Sequence, residues 1–461
     1  MTHYHFIGIG GTGLSAIARV LFERGEHVSG SDLCMSPIAE ELTTLGISVS
    51  EGHNKENIGD ANMIIRSSAI SDDNPEVLAA IEKDIPVLKR REFLKILTKG
   101  KKVIAIAGTH GKTTTTAMTT WCLSESGLEP SYVIGSVSKN LGKNAAAGSG
   151  EYFVIEADEY DNMFLGLNPY ILVITNIEHD HPDCFPTEQA YCNAFQKLTD
   201  KIVLGGYLIA YGDDKNIQAL LNNVPESTNV ITYGKTAGSD LQILSAAFSD
   251  LEKMKVEIKN HAAQPHLPNE MGFSLGLPGL HNALDATAAY AASIIAGADA
   301  NAIKHALAGF SGSGRRFDIL GQVNGVTIID DYGHHPTEIK ATLSAARDMF
   351  KEKVIWAVWQ PHTYSRTQEL YEDFMHAFSD CDHVLVTEIY RSREPLQDYS
   401  ARQLVDKMPH SDKHFKATLQ ETEDFLKANL KTGDVLIVFS AGDANQISQN
   451  IFEGKSSEEI Q

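Results

Sequence analysis

The chain has 461 residues, 43% hydrophobic and 21% charged, which is too long for one core and ordinary for a water-soluble protein of two or three domains. Its net charge of −21, from 39 Lys+Arg against 60 Asp+Glu, argues against nucleic acid or an anionic membrane as the main partner, so a bound polyanion needs a local cluster of donors. Five cysteines (Cys34, Cys122, Cys184, Cys192, Cys381) without a C-x-x-C pair read as reduced thiols, and no apolar run nears membrane-spanning length; the expectation is a cytoplasmic protein without membrane insertion.

Tyr4-His-Phe-Ile-Gly-Ile-Gly-Gly-Thr-Gly-Leu-Ser15 predicts a strand, a glycine-rich turn and a helix to about Glu23. Gly8, Gly10 and Gly13 fit G-x-G-x-x-G, and Asp32 follows a second strand over 27–30. Taken alone this is a dinucleotide-binding unit with Asp32 on a ribose hydroxyl. The extra Gly11, and the small groups of Gly30, Ser31 and Asp32, suit a compact head such as uracil better. A third strand over 63–70 carries Ser67 and Ser68 at its end, either as ligand contacts or as turn-forming hydroxyls. A turn at 72–75 starts a helix, and 86–88 is a short strand before Arg90. Strand–helix alternation predicts a parallel sheet with ligands at the strand C-terminal ends.

Val103-Ile-Ala-Ile-Ala-Gly-Thr-His-Gly-Lys-Thr-Thr114 predicts a buried strand, a turn at Gly108, Thr109, His110 and Gly111, and a helix over 114–123. Such a turn gathers backbone amides on a phosphate; Lys112 would reach the β/γ-phosphates and Thr113 would ligate Mg²⁺. Ile106 stands where the general phosphate-loop pattern wants glycine, and an ordinary strand-to-helix turn is the alternative. A strand from Tyr152 ends in Glu156, followed by Asp158, Glu159 and Asp161, where a second Mg²⁺ contact is expected. Another from Tyr170 delivers Asn176, Glu178, His179, Asp180, His181 and Asp183, a cluster suited to Mg²⁺ or Mn²⁺ over zinc. Strands are expected over 204–211 and 229–233, edge strands over 239–274, and an alanine-rich helix over 286–296. His281 and Asn282 ahead of it would contact a purine or cap the helix.

Ser311-Gly-Ser-Gly314 reads as a joint. Beyond it, strands over 326–331, 354–359, 384–388 and 434–440 end in polar groups, predicting a second doubly wound α/β unit that has no phosphate loop and supplies substrate-binding groups.

Taken in order, Gly8-Ile-Gly-Gly-Thr-Gly-Leu-Ser15, Gly108-Thr-His-Gly-Lys-Thr113, Glu156-Ala-Asp-Glu159, Asn176-Ile-Glu-His-Asp-His181, His281-Asn282, Arg315-Arg-Phe-Asp318, Asp330-Asp-Tyr-Gly-His-His-Pro336 and Gln360-Pro-His362 resemble the Mur ligase family over nearly the whole chain. The resemblance implies three α/β domains: an N-terminal Rossmann-like UDP-binding domain (1–99), a central P-loop ATPase-type domain with a mixed sheet (100–312) and a C-terminal Rossmann-like doubly wound domain that binds the amino acid (313–461). It implies that UDP-N-acetylmuramate, L-alanine and ATP react through an acyl phosphate to give the alanyl conjugate, ADP and phosphate, in a monomer or homodimer. Gly10, Gly11, Thr12, Gly13, Ser31, Asp32, Ser67, Ser68 and Ala69 would hold the UDP-sugar. ATP would meet Gly108, Thr109, His110, Gly111, Lys112, Thr113, Thr114, His281, Asn282, Arg316 and Asp331. Thr113, Glu156 and His181 would hold metal, with Lys112, Glu156 and His181 catalytic, and Tyr332, His334 and Arg366 would bind the amino acid.

Two departures stand out. The approximate place of a carbamylated lysine found in several relatives holds Gln196, with Lys197 beside it, and Thr363 replaces an Arg of some close relatives. The competing readings are a recycling ligase that attaches a whole tripeptide to the same UDP-sugar, an NAD-dependent dehydrogenase using the first glycine turn, and a P-loop switch that hydrolyses ATP.

Overall fold

The computed structural model describes residues 1–250, 253–262, 267, 268 and 270–454. The last residues of the expected 313–461 domain, and parts of the expected 239–274 edge region, lie outside them. The chain divides into two compact units. One joins Met1–Ser245, Val256–Ser274 and Leu284–Phe310; the other joins Ala246–Lys255, Leu275–Ala283 and Ser311–Gln461.

The first unit opens on a five-stranded parallel sheet in the order Ser48–Glu51, His27–Asp32, His3–Ile7, Met63–Arg66, Val87–Lys89. Strand order reverses direction at His3–Ile7, the place where an open α/β sheet leaves a crevice for ligand. A ten-stranded sheet follows. In it Asn229–Gly234, Tyr207–Tyr211, Ile171–Ile174, Lys102–Ala107, Tyr152–Glu156 and Ser131–Val133 run parallel, and Ala145–Ala146 closes one edge antiparallel. Three further strands between 241 and 275 extend the other edge. One apolar cluster runs from Tyr4 and Phe6 through Phe93, Phe153 and Phe164 to Leu220, so both sheets share a core.

The second unit carries a six-stranded sheet in the order Asp318–Val323, Val326–Asp331, Val435–Phe439, Ile355–Trp359, His383–Val386, Lys413–Phe415. Only its first pair is antiparallel. Ile329, Ile355, Trp359, Val384, Ile437 and Phe439 fill one face against helix residues Ile339, Leu343 and Phe374. The all-α/β architecture expected from the sequence is the one observed.

Several element ends differ from expectation, each for a local reason. The strand expected over 63–70 stops at Arg66, because Ile70 donates to the Ser67 carbonyl and the Arg66 guanidinium donates to Ile70 O, closing a turn. The strand expected over 204–211 begins at Tyr207, after a turn in which Gly206 donates to Val203 O. The alanine-rich helix begins at Leu280, placing His281 and Asn282 in its first turn. The phosphate-loop helix starts at Lys112, two residues before the expected start.

Candidate active site

At the first sheet's switch point, the 8–11 turn follows His3–Ile7 and residues 67–69 follow Met63–Arg66. The Ser31 carbonyl accepts from Gly8 (2.8 Å) and Ile9 (3.0 Å), and Asp32 Oδ2 accepts from Gly10 (2.7 Å). Asp32 therefore holds the loop itself. Gly10 admits no side chain: a Cβ there would lie 2.9 Å from both Asp32 Oδ2 and Ser36 Oγ. Helix Thr12–Glu23 then starts at Gly11 without a side-chain cap and with no acidic residue in its first turn, which leaves its amide end suited to an anion.

One residue that motif reading passed over joins this loop. A Cβ on Gly13 would collide with the Arg90 guanidinium, whose Nε is buried without a hydrogen-bond partner. Arg90 Nη1 lies 3.8 Å from Asp158 Oδ2. Burial pulls the Arg90 pKa down, against the pull of Asp158 and Glu156. An incompletely paired guanidinium beside a helix N-terminus is suited to a diphosphate. No pattern marks Arg90 in the sequence, because it reaches the loop only through the fold.

In the second loop, Gly108 takes φ +135° and a Cβ on it would collide with Thr175 Oγ1. Thr109 N donates to Asn176 O (3.1 Å) and His110 N to Asn176 Oδ1 (2.9 Å), so the neighbouring strand's end shapes the turn. Gly111, at φ +79°, is the N-cap of helix Lys112–Glu125, which has neither a side-chain cap nor an early acidic residue. Lys112 Nζ folds back over the turn, donating to Gly108 O (2.6 Å), Thr109 O (3.0 Å) and Glu159 Oε1 (2.9 Å). Thr113 and Thr114 lie buried at the helix start.

Register brings the acids to the same edge. Glu156 pairs across from Ile106 at the end of Tyr152–Glu156, and its Oε2 accepts from Gly135 N at 2.7 Å. Glu159 is only 1% exposed, with Oε1 on Lys112 and 3.6 Å from His181 Nε2. Burial pushes its carboxyl up, but Lys112 and His181 more than offset this and hold it below the ordinary value. Burial likewise lowers the Lys112 ammonium, and Glu159, Glu156 and Asp158 carry it above its usual range. Glu159 Oε2 is buried with no partner. His181 sits at φ +56°, and Asp161 and Asn162 at +54° and +52°, so strained backbone gathers around this acid cluster.

The donor set of two carboxylates, a threonine hydroxyl and one imidazole fits a hard divalent cation, and the orphaned Glu159 oxygen has the character of a waiting ligand. Glu159 was visible in the sequence only as one acid among four; the chain bend that buries it singles it out. Gln196 turns elsewhere, donating to Thr199 Oγ1, Asp200 Oδ1 and Asn223 O, and Lys197 is exposed.

In the second unit, Arg315 and Phe317 take φ +59° and +45°. This bend lets Phe317 N (2.8 Å) and Gly333 N (2.7 Å) both donate to the Asp331 carboxylate. The Arg315 and Arg316 guanidiniums lie 5.2 and 5.1 Å from the Tyr332 ring centroid. Burial raises Asp331 to about 6, opposed by Arg316, and Asp330 to about 7, opposed by Arg315.

Tyr332 and His334 meet edge to face at 5.4 Å; His334 lies 5.7 Å from the His362 ring, and Arg366 Nη1 is 3.2 Å from His362 Nδ1. The three residues expected to bind the amino acid are thus brought together, with His362 as the link. Thr363, at φ +67°, caps the short helix that carries Arg366. His281 lies half-buried in this unit and is pushed down to about 4 by desolvation, against Glu338, so its ring is neutral at pH 7. Asn282 donates to Pro278 O (2.6 Å), a cap-like bond, and is 3.1 Å from His281 Nε2. The residues expected around ATP thus divide, with 108–114 in the first unit and His281, Asn282, Arg316 and Asp331 in the second.

These features, two uncapped glycine turns on parallel sheets and a lysine–acid cluster, are those of a nucleotide-dependent ligase, and the chain belongs to the Mur ligase family. Models of that family match residues 3–102 (catalytic domain), 106–293 (middle domain) and 315–442 (glutamate ligase domain). The chain is 40% identical to a UDP-N-acetylmuramate–L-alanine ligase of Geobacter sp. (strain M21), covering 97% of this chain and 96% of that protein. It is 39% identical to the protein of the same name from Desulfosudis oleivorans, covering 98% of each. Among solved structures it is similar to the UDP-N-acetylmuramate–alanine ligase of Thermotoga maritima, with a TM-score of 0.81, 28% identity and complete coverage of both chains. A murein peptide ligase of Psychrobacter arcticus shares the fold at a TM-score of 0.70 and 23% identity, covering 98% of each chain.

Proposed function

We infer that the chain is an ATP-dependent carboxylate–amine ligase that joins L-alanine to the carboxylate of UDP-N-acetylmuramate, a step of peptidoglycan precursor synthesis. The observation that carries this reading is the Lys112–Glu159 pair at an uncapped helix start, in a chain 40% identical over nearly its whole length to ligases of that name.

A carboxylate is a poor electrophile at neutral pH. In the first step a carboxylate oxygen of the UDP-sugar attacks the γ-phosphorus of ATP, and the bond to the bridging oxygen of ADP breaks. The alanine amine then attacks the acyl carbon, loses a proton, and phosphate leaves from the tetrahedral intermediate. Both steps gather charge on oxygen. Lys112, turning from the Gly108 and Thr109 carbonyls toward the phosphates, supplies positive charge there, and the helix amides add to it. A divalent cation, Mg²⁺ with Mn²⁺ as the alternative, would be held by Thr113, Glu156, Glu159 and His181 and would supply Lewis-acid charge at the transferring phosphoryl group.

We assign the UDP diphosphate to the 8–13 turn, with Arg90 as its counter-charge, and the remaining sugar contacts to Ser31, Asp32, Ser67, Ser68 and Ala69. His281, Asn282, Arg316 and Asp331 are assigned to ATP, and Tyr332, His334 and Arg366 to alanine, with the guanidinium as a carboxylate clamp. The domain division 1–99, 100–312 and 313–461 is proposed with it. Among the described residues no helix is long and apolar enough to cross a membrane, and we propose a cytoplasmic location.

A coupled phosphate-release assay tests this reading. L-alanine should support turnover with UDP-N-acetylmuramate and ATP, while the tripeptide should not. Equal turnover without either acceptor would indicate a simple ATPase, and preference for the tripeptide would indicate the recycling reaction.

A further inference from the structure

Beneath the first glycine turn lies a polar chain that the reaction does not use. Glu76, on helix Pro75–Glu82, is 0% exposed. Its Oε2 accepts from Ser31 Oγ (2.7 Å) and His5 Nε2 (3.0 Å), and its Oε1 from Asn57 Nδ2 (2.7 Å) and Asn54 N (3.1 Å). His5 Nδ1 is 2.8 Å from Ser29 Oγ, Ser29 Oγ is 2.8 Å from His3 Nε2, and His3 Nδ1 is 2.7 Å from Asp60 Oδ1. The chain ends at the surface, for the Asp60 side chain is 92% exposed.

Burial pushes the Glu76 carboxyl up, yet the bonds from His5, Asn57 and Ser31 hold it at about 2, so it is ionised at pH 7. The other titratable groups facing the chain are His27, stacked on His3 at 3.9 Å, and His53, whose Nδ1 is 3.0 Å from Ser31 Oγ and 3.5 Å from Glu76 Oε1.

The residue Glu76 grips is the one that shapes the loop, since the Ser31 carbonyl receives the Gly8 and Ile9 amides and the next residue, Asp32, receives Gly10. We propose that Glu76 is a positioning residue for UDP-sugar binding: its buried carboxylate holds Ser31 beneath the 8–11 turn and is itself fixed by His5, Asn57 and the Asn54 amide. The proposal rests on the assignment of the 8–13 turn to the UDP-sugar. Loss of the carboxylate loosens Ser31 and weakens UDP-sugar binding without touching ATP.

Glu76→Gln keeps the size of the side chain and turns one of its acceptor oxygens into an amide that donates. It should raise the KM for UDP-N-acetylmuramate about tenfold at pH 7, the effect of losing one hydrogen bond to a charged group, while kcat and the KM for ATP stay unchanged. An unaltered UDP-sugar KM would overturn the proposal, as would a rise shared equally by the ATP KM. A lower melting temperature with an unmoved UDP-sugar KM makes Glu76 merely structural and counts equally against it. A wild-type chain without UDP-sugar-dependent turnover defeats the functional reading instead; calorimetry with UDP then tests the positioning by itself, and the variant should bind UDP about tenfold more weakly.

Discussion

The turns at 8–11 and 108–111 are the same backbone device in different company. Each follows a buried parallel strand and opens a helix with no side-chain cap and no early acid, so each offers amides and a helix dipole to an anion. At 108–111 the cation is built into the turn: Lys112 is the first helical residue, and it faces a buried acid with an unsatisfied oxygen. At 8–11 the turn has no cation of its own; Arg90 comes from a later helix, and the buried acid beneath the turn, Glu76, faces into a chain of hydrogen bonds. A lysine ammonium beside a buried carboxylate with a spare oxygen suits a phosphoryl group that must move. A wedged guanidinium over a loop held from beneath suits a diphosphate that must stay. On the proposed assignment, the backbone selects for phosphate, and the side chains around it decide whether the phosphate is transferred or held.

The largest effect should come from removing the transferring cation. Lys112→Ala is expected to lower kcat by about 10³-fold, the scale of losing a donor to developing charge, while calorimetry finds UDP-N-acetylmuramate binding unchanged. Appreciable turnover in this variant would erase the distinction between the two turns. Glu159→Gln should follow, with the Mg²⁺ concentration for half-maximal activity rising about 10–100-fold, as for groups that support a metal. If the metal dependence does not move, Glu159 only anchors the lysine.

On the other side of the comparison, Arg90→Met should raise the UDP-sugar KM about tenfold through the loss of a charge-assisted contact, and leave the ATP KM alone. An equal shift in both would mean that Arg90 serves the acid cluster through Asp158 rather than the diphosphate. The smallest effect is on stability. Glu76 has a folded pKa near 2 against 4.5 in the open chain, so its contribution is present above pH 4.5 and is lost as pH falls toward 2. Thermal melts between pH 5 and pH 3 should therefore fall less steeply for Glu76→Gln than for the wild type, and parallel slopes would argue that the carboxylate is not held ionised.

The sequence by itself determined the parallel α/β class, the two glycine turns, and the strands that end at or lead into Glu156, His181, Asp331 and Arg366. Local periodicity and turn chemistry suffice for these, because a glycine turn between a buried strand and a helix is encoded by adjacent residues. Element ends were less legible: the bonds that stop a strand at Arg66, or start a helix at Leu280, depend on side-chain contacts that spacing does not show. Only the tertiary structure decided which acid is buried against Lys112, that Arg90 covers the first turn, that His362 links the residues placed around alanine, and that Glu76 holds Ser31 from below. In each case the partners lie far apart in the chain, and burial fixes their charge. A carboxylate in a sequence is one polar letter among sixty. Removed from water among chosen partners, it becomes a ligand or an anchor.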